Sequence, residues 1–150
     1  MQVPDEIREF LSAFTIRIAR MEETAISAGL DVHITPPEIR IIDKIGPEGS
    51  EKMGSVARAL GITLATLTVA CDKLERKELI VRQRDPQDKR TVRISLTPSG
   101  LVAYHYHDAF QRELIDVMLG GLSDDEQQAL LHGIRNLTKY LVEIPDGQKE

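Results

Sequence analysis

The stretch LIVRQRDPQDKRTVRISLTPSG, residues 79–100, has the pattern of two β-strands joined by a charged turn. A short apolar run leads through two arginines into six polar residues. Apolar and polar side chains then alternate from Val92 to Leu96, as they do along a strand with one buried face. The stretch therefore predicts a β-hairpin whose exposed tip carries Asp88, Lys89 and Arg90.

Two short helices are predicted directly before this hairpin. The first covers residues 55–60 and ends at Gly61, because glycine adopts left-handed turn geometry without strain. Thr63 caps the second, which extends to about Lys77 and turns its apolar side, Leu67, Cys71 and Leu74, inward. A helix–turn–helix followed by a basic hairpin is the layout of a winged helix, a DNA-reading module.

Apolar stripes at helical spacing predict longer helices on both sides of this module. One covers residues 5–28, one begins at the Thr35-Pro36 cap, and one extends from Thr97-Pro98 to the Gly120-Gly121 break. A last helix begins at the capping box of Ser123 and carries a stripe of Leu130, Ile134, Leu137, Leu141 and Ile144. The predicted fold class is therefore mostly α with a small β-hairpin wing.

The charge of the chain is unevenly distributed. The 150 residues carry a net charge of −5, yet residues 52–100 carry +5 and the remainder −10. A basic centre in an acidic protein indicates a local surface for a polyanion, the alternative being a chance asymmetry. One cysteine excludes an internal disulfide and favours a reducing compartment. With no apolar run near the roughly 20 residues of a membrane span and no signal peptide, we expect a cytoplasmic protein without a membrane partner.

The outward side of the second short helix combines hydroxyl and methyl groups that suit base edges with basic groups that suit phosphates. On the hairpin, Arg90 is placed to enter a minor groove, and Asp88 is placed to hold Arg90 by a charge-assisted bond. The strand residues Arg82, Arg84 and Arg93 are predicted to point at the DNA backbone. The alternative is a solvated helix face with a solubilising charged edge. The candidate DNA-binding residues are Ser55, Thr63, Leu64, Ala65, Thr66, Thr68, Val69, Lys73, Arg76, Arg82, Arg84, Asp88, Lys89 and Arg90.

The other potentially reactive residues do not form the pattern of a metal, redox or catalytic site. His105 and His107 stand two apart and do not share a helical face, so a metal site is not expected. Cys71 lies on the inward side of its helix without a second cysteine, which favours inert packing over redox sensing. Catalytic motifs are absent from the sequence, so we expect no enzyme and no cofactor.

The residues Asp88-Lys89-Arg90, Ile94, Leu96-Thr97 and Gly100 resemble the wing signature of the MarR family of bacterial transcription regulators. The resemblance implies a homodimer on double-stranded DNA, with one helix in the major groove and the wing in the minor groove. It divides a single domain, 1–150, into a winged lobe, 35–96, and dimerisation helices, 5–34 and 97–145. Two positions depart from the family: Glu78 replaces a usual glycine, and Cys71 replaces a branched aliphatic residue.

Three shorter segments, residues 39–46, 66–68 and 104–110, are similar to the MarR subgroup that represses fatty-acid biosynthesis genes. That resemblance implies a long-chain acyl group on acyl carrier protein as the corepressor. Two alternatives stay open: a repressor of efflux or stress genes that a phenolic ligand releases, and a winged helix that contacts proteins. The candidate ligand-binding residues are Phe14, Ile18, Met21, Tyr104, His107, Phe110 and Leu114.

Overall fold

The computed structural model describes residues 2–143, so Ile144 and Pro145 of the predicted last helix lie outside the described part. The described residues form six helices and three short strands. In chain order they are α1 Val3–Ser27, α2 Pro36–Ile45, β1 Glu51–Lys52, α3 Met53–Leu60, α4 Leu64–Arg76, β2 Ile80–Arg84, β3 Val92–Leu96, α5 Pro98–Leu119 and α6 Asp124–Glu143. The mostly helical fold class with a small wing is confirmed.

Local capping explains where several of these helices begin. The Thr35 N–H donates to the Glu38 carboxylate before α2, and the Thr63 hydroxyl accepts from the Thr66 N–H at the start of α4. Before α6, the Ser123 hydroxyl and N–H both donate to the carboxylate of Glu126. These bonds occupy backbone groups that a helix end leaves without partners. The caps predicted at these three positions are confirmed.

The hairpin pairs in an antiparallel register from Ile80 opposite Leu96 to Arg84 opposite Val92. β1 adds a third strand on the other side of β3, which gives the order β1-β3-β2. Two residues are too few to show alternation, and for that reason the sequence pattern missed β1. The start of α3 also lies two residues before the predicted Ser55.

The chain forms two compact units, Met1–Gln111 and Arg112–Glu150. The core of the first lies under α4, where Leu67, Cys71 and Leu74 are fully buried with Leu79 and Ile94. Burial raises the pKa of the Cys71 thiol to about 11, so the thiolate needed for redox chemistry is disfavoured. In the described part of the second unit, α6 buries none of its residues.

The junction between the hairpin and α5 depends on three residues. Glu78, which stands where the family usually has glycine, has a φ of 57° and so adopts the left-handed geometry that favours glycine. Its carbonyl accepts a 2.6 Å hydrogen bond from the Thr97 hydroxyl, which in turn accepts from the Gly100 N–H. Gly100 packs so close to Leu79 that an added Cβ would overlap the Leu79 carbonyl oxygen. The threonine and glycine of the wing signature therefore fix the wing to α5.

A buried ion pair joins the start of α2 to the end of α4. Lys77 Nζ lies 2.7 Å from a carboxylate oxygen of Glu38, which is 5% exposed, and also donates to the His33 carbonyl. Burial alone raises the pKa of Glu38, but hydrogen bonds from Lys77 and Thr35 outweigh it and hold the pKa below its usual range. The ionised carboxylate is therefore part of the folded structure.

Because the Glu38 pKa is lower folded than unfolded, its contribution to stability is complete above about pH 4.3 and is lost as the pH falls through the folded value. We expect Glu38→Gln to lower the free energy of unfolding at pH 7 by about 1–3 kcal/mol, since Lys77 loses its ionic partner. The variant should also lose less stability than the wild type below pH 4.5. Urea denaturation between pH 3 and 7 measures both, with the exposed Glu48→Gln as control. If the free energy of unfolding of Glu38→Gln falls below pH 4.5 as steeply as that of the wild type, this role is contradicted.

Candidate nucleic-acid interface

Helix α4 forms a ridge between two grooves of the first unit. The wing groove, of about 570 Å³, lies on the side of the hairpin, and the α2 groove, of about 560 Å³, lies on the side of α2. The wing groove is lined by Lys52, Met53, Gly54, Ser55, Arg58, Leu64, Thr68, Arg82, Gln83, Arg84, Arg90, Thr91 and Val92. The α2 groove is lined by Thr35, Pro37, Glu38, Thr66, Val69, Ala70, Lys73 and Lys77.

The grooves bring together nine of the residues predicted to bind DNA. Ser55, Leu64, Thr68, Arg82, Arg84 and Arg90 line the wing groove, while Thr66, Val69 and Lys73 line the α2 groove. The other five, Thr63, Ala65, Arg76, Asp88 and Lys89, are exposed and line neither of these two grooves. The structure thus places the predicted set around one helix and the adjoining wing, and their contact with DNA stays a prediction.

The outward side of α4 is apolar near its beginning and basic near its end. Leu64 and Val69 are 54% and 58% exposed, and Lys73 and Arg76 are exposed one and two turns farther on. The Thr68 hydroxyl donates to the Leu64 carbonyl, and the hydroxyls of Thr63 and Thr66 share a 2.9 Å hydrogen bond. The threonine hydroxyls therefore have hydrogen-bond partners within α4 and its cap, while the methyl groups of Leu64 and Val69 are exposed.

The wing tip is held by the Asp88 carboxylate. It accepts hydrogen bonds from the Arg90 N–H and the Thr91 hydroxyl, both at 3.0 Å. The prediction that Asp88 holds Arg90 is thereby refined: the bond is to the main chain, and the structure shows no bond from Asp88 to the guanidinium. The tip is shaped so that the Arg90 side chain stays exposed at the rim of the wing groove.

The guanidiniums of Arg84 and Arg93 bond to the wing itself, in contrast to the prediction that they point at the DNA backbone. Arg84 donates to the Lys89 carbonyl, and Arg93 donates to Asp85 and to the Ser50 carbonyl. The Asp85 carboxylate also accepts from two backbone N–H groups of the tip. The hydrogen bond from Arg93, followed by those from the tip, holds the pKa of Asp85 below its usual range. These residues therefore give the wing its shape.

Arg82, one of the candidate DNA-binding residues, is held by two carboxylates of α4. Its guanidinium lies 2.6 Å from the carboxylate of Asp72 and 2.5 Å from that of Glu75, both on α4. The main-chain N–H of Arg82 also donates to Glu75. The hydrogen bond from Arg82 holds the pKa of Glu75 below its usual range, so the pair is ionised at neutral pH. Sequence reasoning missed the pair because it brings together α4 and β2, which the chain order alone does not orient. Arg82 links the wing to α4.

We expect Arg82→Ala to weaken binding to duplex DNA by about 3- to 10-fold, because the wing is then less firmly oriented against α4. The slope of log affinity against log salt should stay unchanged, since a residue that neutralises no phosphate releases no counterion. Fluorescence anisotropy over a series of salt concentrations measures both quantities. A slope reduced by about one would show instead that Arg82 neutralises a phosphate.

Two basic residues of the wing groove, Lys52 and Arg58, were missed by the sequence reasoning. Lys52 is on the unpredicted strand β1, and Arg58 is on α3, of which only Ser55 was predicted to bind DNA. Their signal in the sequence was positive charge alone. The sheet pairing of Lys52 with Arg93 brings this charge to the groove. The wing groove is therefore bordered by five basic residues from β1, α3, β2 and the hairpin turn.

The predicted ligand-binding residues on α5 lie on successive turns of one side. His107 and Phe110 are buried, and Tyr104 is half-buried. Nδ1 of His107 lies 2.5 Å from Oε1 of Glu22 on α1, but the geometry of this contact is not that of a hydrogen bond. Nε2 of His107 shares a 2.9 Å hydrogen bond with the side-chain amide of Gln111. On α1, Ile18 is half-buried while Phe14 and Met21 are exposed; Leu114 belongs to the second unit. Ligand binding by this set stays a prediction.

Two other expectations concern metals and membranes. Within residues 2–143, no group of three His, Cys, Asp or Glu is arranged to hold a metal ion. In the same range no single helix is long and apolar enough to cross a membrane; α3 and α4 reach that length only together, across a bend of 109°.

Comparison with known proteins relates this geometry to one group. Residues 34–92 match the sequence profile of the MarR family. The fold is similar to Streptococcus pneumoniae FabT in complex with DNA, with a TM-score of 0.82 and 29% identity over 93% of this chain and 97% of that one. It is also similar to the S. aureus MepR–DNA complex, with a TM-score of 0.69 and 21% identity over 89% of this chain and 96% of that one. The Bacillus subtilis repressor MdtR is 25% identical over 99 residues, which are 66% of this chain and 64% of that repressor, less than two thirds of its length.

Proposed function

We propose that this chain is a transcription regulator of the MarR family, a repressor that binds duplex DNA as a homodimer. The observation that carries the proposal is the wing groove, where the exposed side chains of Lys52, Arg58 and Arg90 adjoin the exposed side of α4. The FabT and MepR structures, which contain DNA, support duplex DNA as the partner of this surface. Regulators of this type are not enzymes.

The two grooves beside α4 suit the geometry of B-DNA. A major groove about 12 Å wide admits one α-helix, and a phosphate backbone then lies on each side of that helix. On the wing side, Lys52 and Arg58 are free to meet one backbone, while Arg90 reaches toward the adjacent minor groove. On the other side, Lys73 is placed to meet the second backbone.

Exposed apolar side chains on the end helices support a homodimer. Ile7, Leu11 and Phe14 are exposed along one side of α1, and Leu137 and Leu141 are exposed on α6. Stripes of this kind on helices are buried when two copies associate. A two-fold dimer presents two α4 helices to DNA, so we expect a pseudo-palindromic operator with half-sites about 10 bp apart.

The subgroup resemblance and the likeness to FabT support a long-chain acyl group, delivered on acyl carrier protein, as the effector. We propose that it binds where α1 and α5 meet, near Tyr104, His107 and Phe110. By analogy with the subgroup it strengthens DNA binding, through a coupling free energy of about 1–3 kcal/mol between the two sites.

A salt titration of binding to duplex DNA tests the function. We expect a dimer by light scattering, and a loss of affinity of roughly a thousandfold or more between about 50 and 200 mM salt if six or more phosphates are neutralised. Poly-glutamate serves as the control polyanion and should bind far more weakly. A flat response to salt, or no binding to duplex DNA, would contradict the proposal and favour a winged helix that contacts proteins.

Native mass spectrometry tests the effector. We expect the dimer to gain the mass of the acyl-loaded carrier protein when this is added, and DNA affinity to rise about 5- to 100-fold. Phe110→Ala should reduce this response while the affinity for DNA without effector stays close to that of the wild type. An equal response to unloaded carrier protein would show that the acyl chain is not recognised.

A further inference from the structure

We infer that α4 recognises its operator chiefly through the methyl groups of thymine, with Leu64 and Val69 as specificity-determining residues. The inference rests on the proposed function and names the bases that the DNA-binding site prefers. It follows from which groups on α4 are free to contact bases and which are not.

The first two turns of α4 lack the side chains that read bases by paired hydrogen bonds. From Thr63 to Ala70 there is no Arg, Lys, Asn, Gln, Asp or Glu. Guanine is commonly read by Arg or Lys and adenine by Asn or Gln, so bidentate recognition of either purine is not available in this segment.

The hydroxyl groups of the same two turns are engaged in the helix. Thr68 donates to the Leu64 carbonyl at 2.8 Å, which uses its only hydrogen. Thr63 and Thr66 bond to each other, and Thr63 also accepts from the Thr66 N–H. At most one hydroxyl hydrogen of these three is left to donate to a base.

The apolar groups of these turns, in contrast, are exposed on both sides of the ridge. Leu64 borders the wing groove and Val69 borders the α2 groove, and each is more than half exposed. The C5-methyl of thymine is the apolar group that bases present in the major groove. Burying one methyl against such a side chain changes affinity by about three- to fivefold.

The experiment removes the methyl groups from the DNA. An operator is first selected from a pool of randomised duplexes, and each thymine of a half-site is then replaced by deoxyuridine, which pairs alike but lacks the methyl. We expect at least two replacements per half-site to weaken binding by about three- to fivefold each. A 5-methylcytosine placed where the sequence has cytosine controls for methylation outside the predicted contacts.

Single variants assign the contacts. Leu64→Ala should abolish the effect of one deoxyuridine position and Val69→Ala that of another, while the exposed Val81→Ala on β2 should keep both effects. Both substituted positions are exposed, and circular dichroism verifies folding; should a variant fail to fold, the deoxyuridine series on the wild-type protein still decides.

The outcomes separate the inference from the proposed function. Salt-dependent binding to duplex DNA with no sensitivity to deoxyuridine overturns the thymine-methyl reading and leaves the repressor proposal standing. Absence of duplex binding overturns both. Sensitivity that persists unchanged in Leu64→Ala and Val69→Ala overturns their assignment as the residues that determine specificity.

Discussion

Arg90→Ala is expected to weaken operator binding by about 10- to 100-fold, which is the largest effect on DNA affinity that we expect from one side chain. The guanidinium is exposed at the rim of the wing groove, and Asp88 fixes the main chain that carries it. Because that main chain is already ordered, binding costs only the side-chain entropy of Arg90. The electrostatic attraction between the guanidinium and a narrow minor groove, where the negative potential is strongest, then contributes in full to the affinity.

The measurement is anisotropy on an operator duplex over a range of salt concentrations. Arg90→Ala should lower the salt slope by about one, as expected when one cationic contact is lost. Arg40→Ala serves as the control, since Arg40 is exposed on α2 and lines neither groove. If the two variants bind alike, the wing tip does not contact DNA.

Arg90 and Arg82 together test how the wing works. Both are arginines of the hairpin, yet one is free at the tip and the other is bound to Asp72 and Glu75 on α4. Loss of Arg90 should change both affinity and salt slope, whereas loss of Arg82 should change affinity alone. This difference separates a residue that contacts DNA from a residue that orients the wing.

The sequence predicted those parts of the fold that depend on local signals. The hairpin follows from alternation between Val92 and Leu96, and the helix starts follow from caps at Thr35, Thr63 and Ser123, all within four residues of the chain. The buried side of α4 follows from helical spacing in the same way. Each of these features needs no knowledge of how distant segments meet.

The roles of the hairpin arginines could not be predicted in that way. Whether a strand arginine faces DNA or bonds to its own protein depends on the partners that folding brings near it. For Arg93 these are Asp85, eight residues away, and the Ser50 carbonyl, 43 residues away. Charge pattern alone assigns every arginine of a basic hairpin to DNA, and it overlooks Lys52 because a two-residue strand leaves no pattern.

Gly100→Ala is expected to cause the largest loss of stability, about 3 kcal/mol or more. An added Cβ would overlap the Leu79 carbonyl oxygen and meet Leu96 Cβ at 3.3 Å, so backbone on both sides of the junction would have to shift. Overpacking usually costs about 1–3 kcal/mol, and a clash with backbone lies at the upper end because no side chain can rotate away. The same shift would strain the hydrogen bond from the Thr97 N–H to the Leu79 carbonyl.

Urea denaturation at one fixed protein concentration measures this loss, and Gly54→Ala is the matched control. Gly54 lies within α3, where an added Cβ meets no atom within 4 Å, so the control should gain about 0.5 kcal/mol from the better helix propensity of alanine. The same substitution is thus expected to lower the free energy of unfolding at one site and to raise it at the other. Equal midpoints for Gly100→Ala and the wild type would show that the hairpin and α5 are not held at the distance described. Since Thr97 and Gly100 fix the wing to α5, a variant that stays folded should also bind DNA more weakly. That result would connect these two residues of the wing signature to DNA recognition through geometry rather than contact.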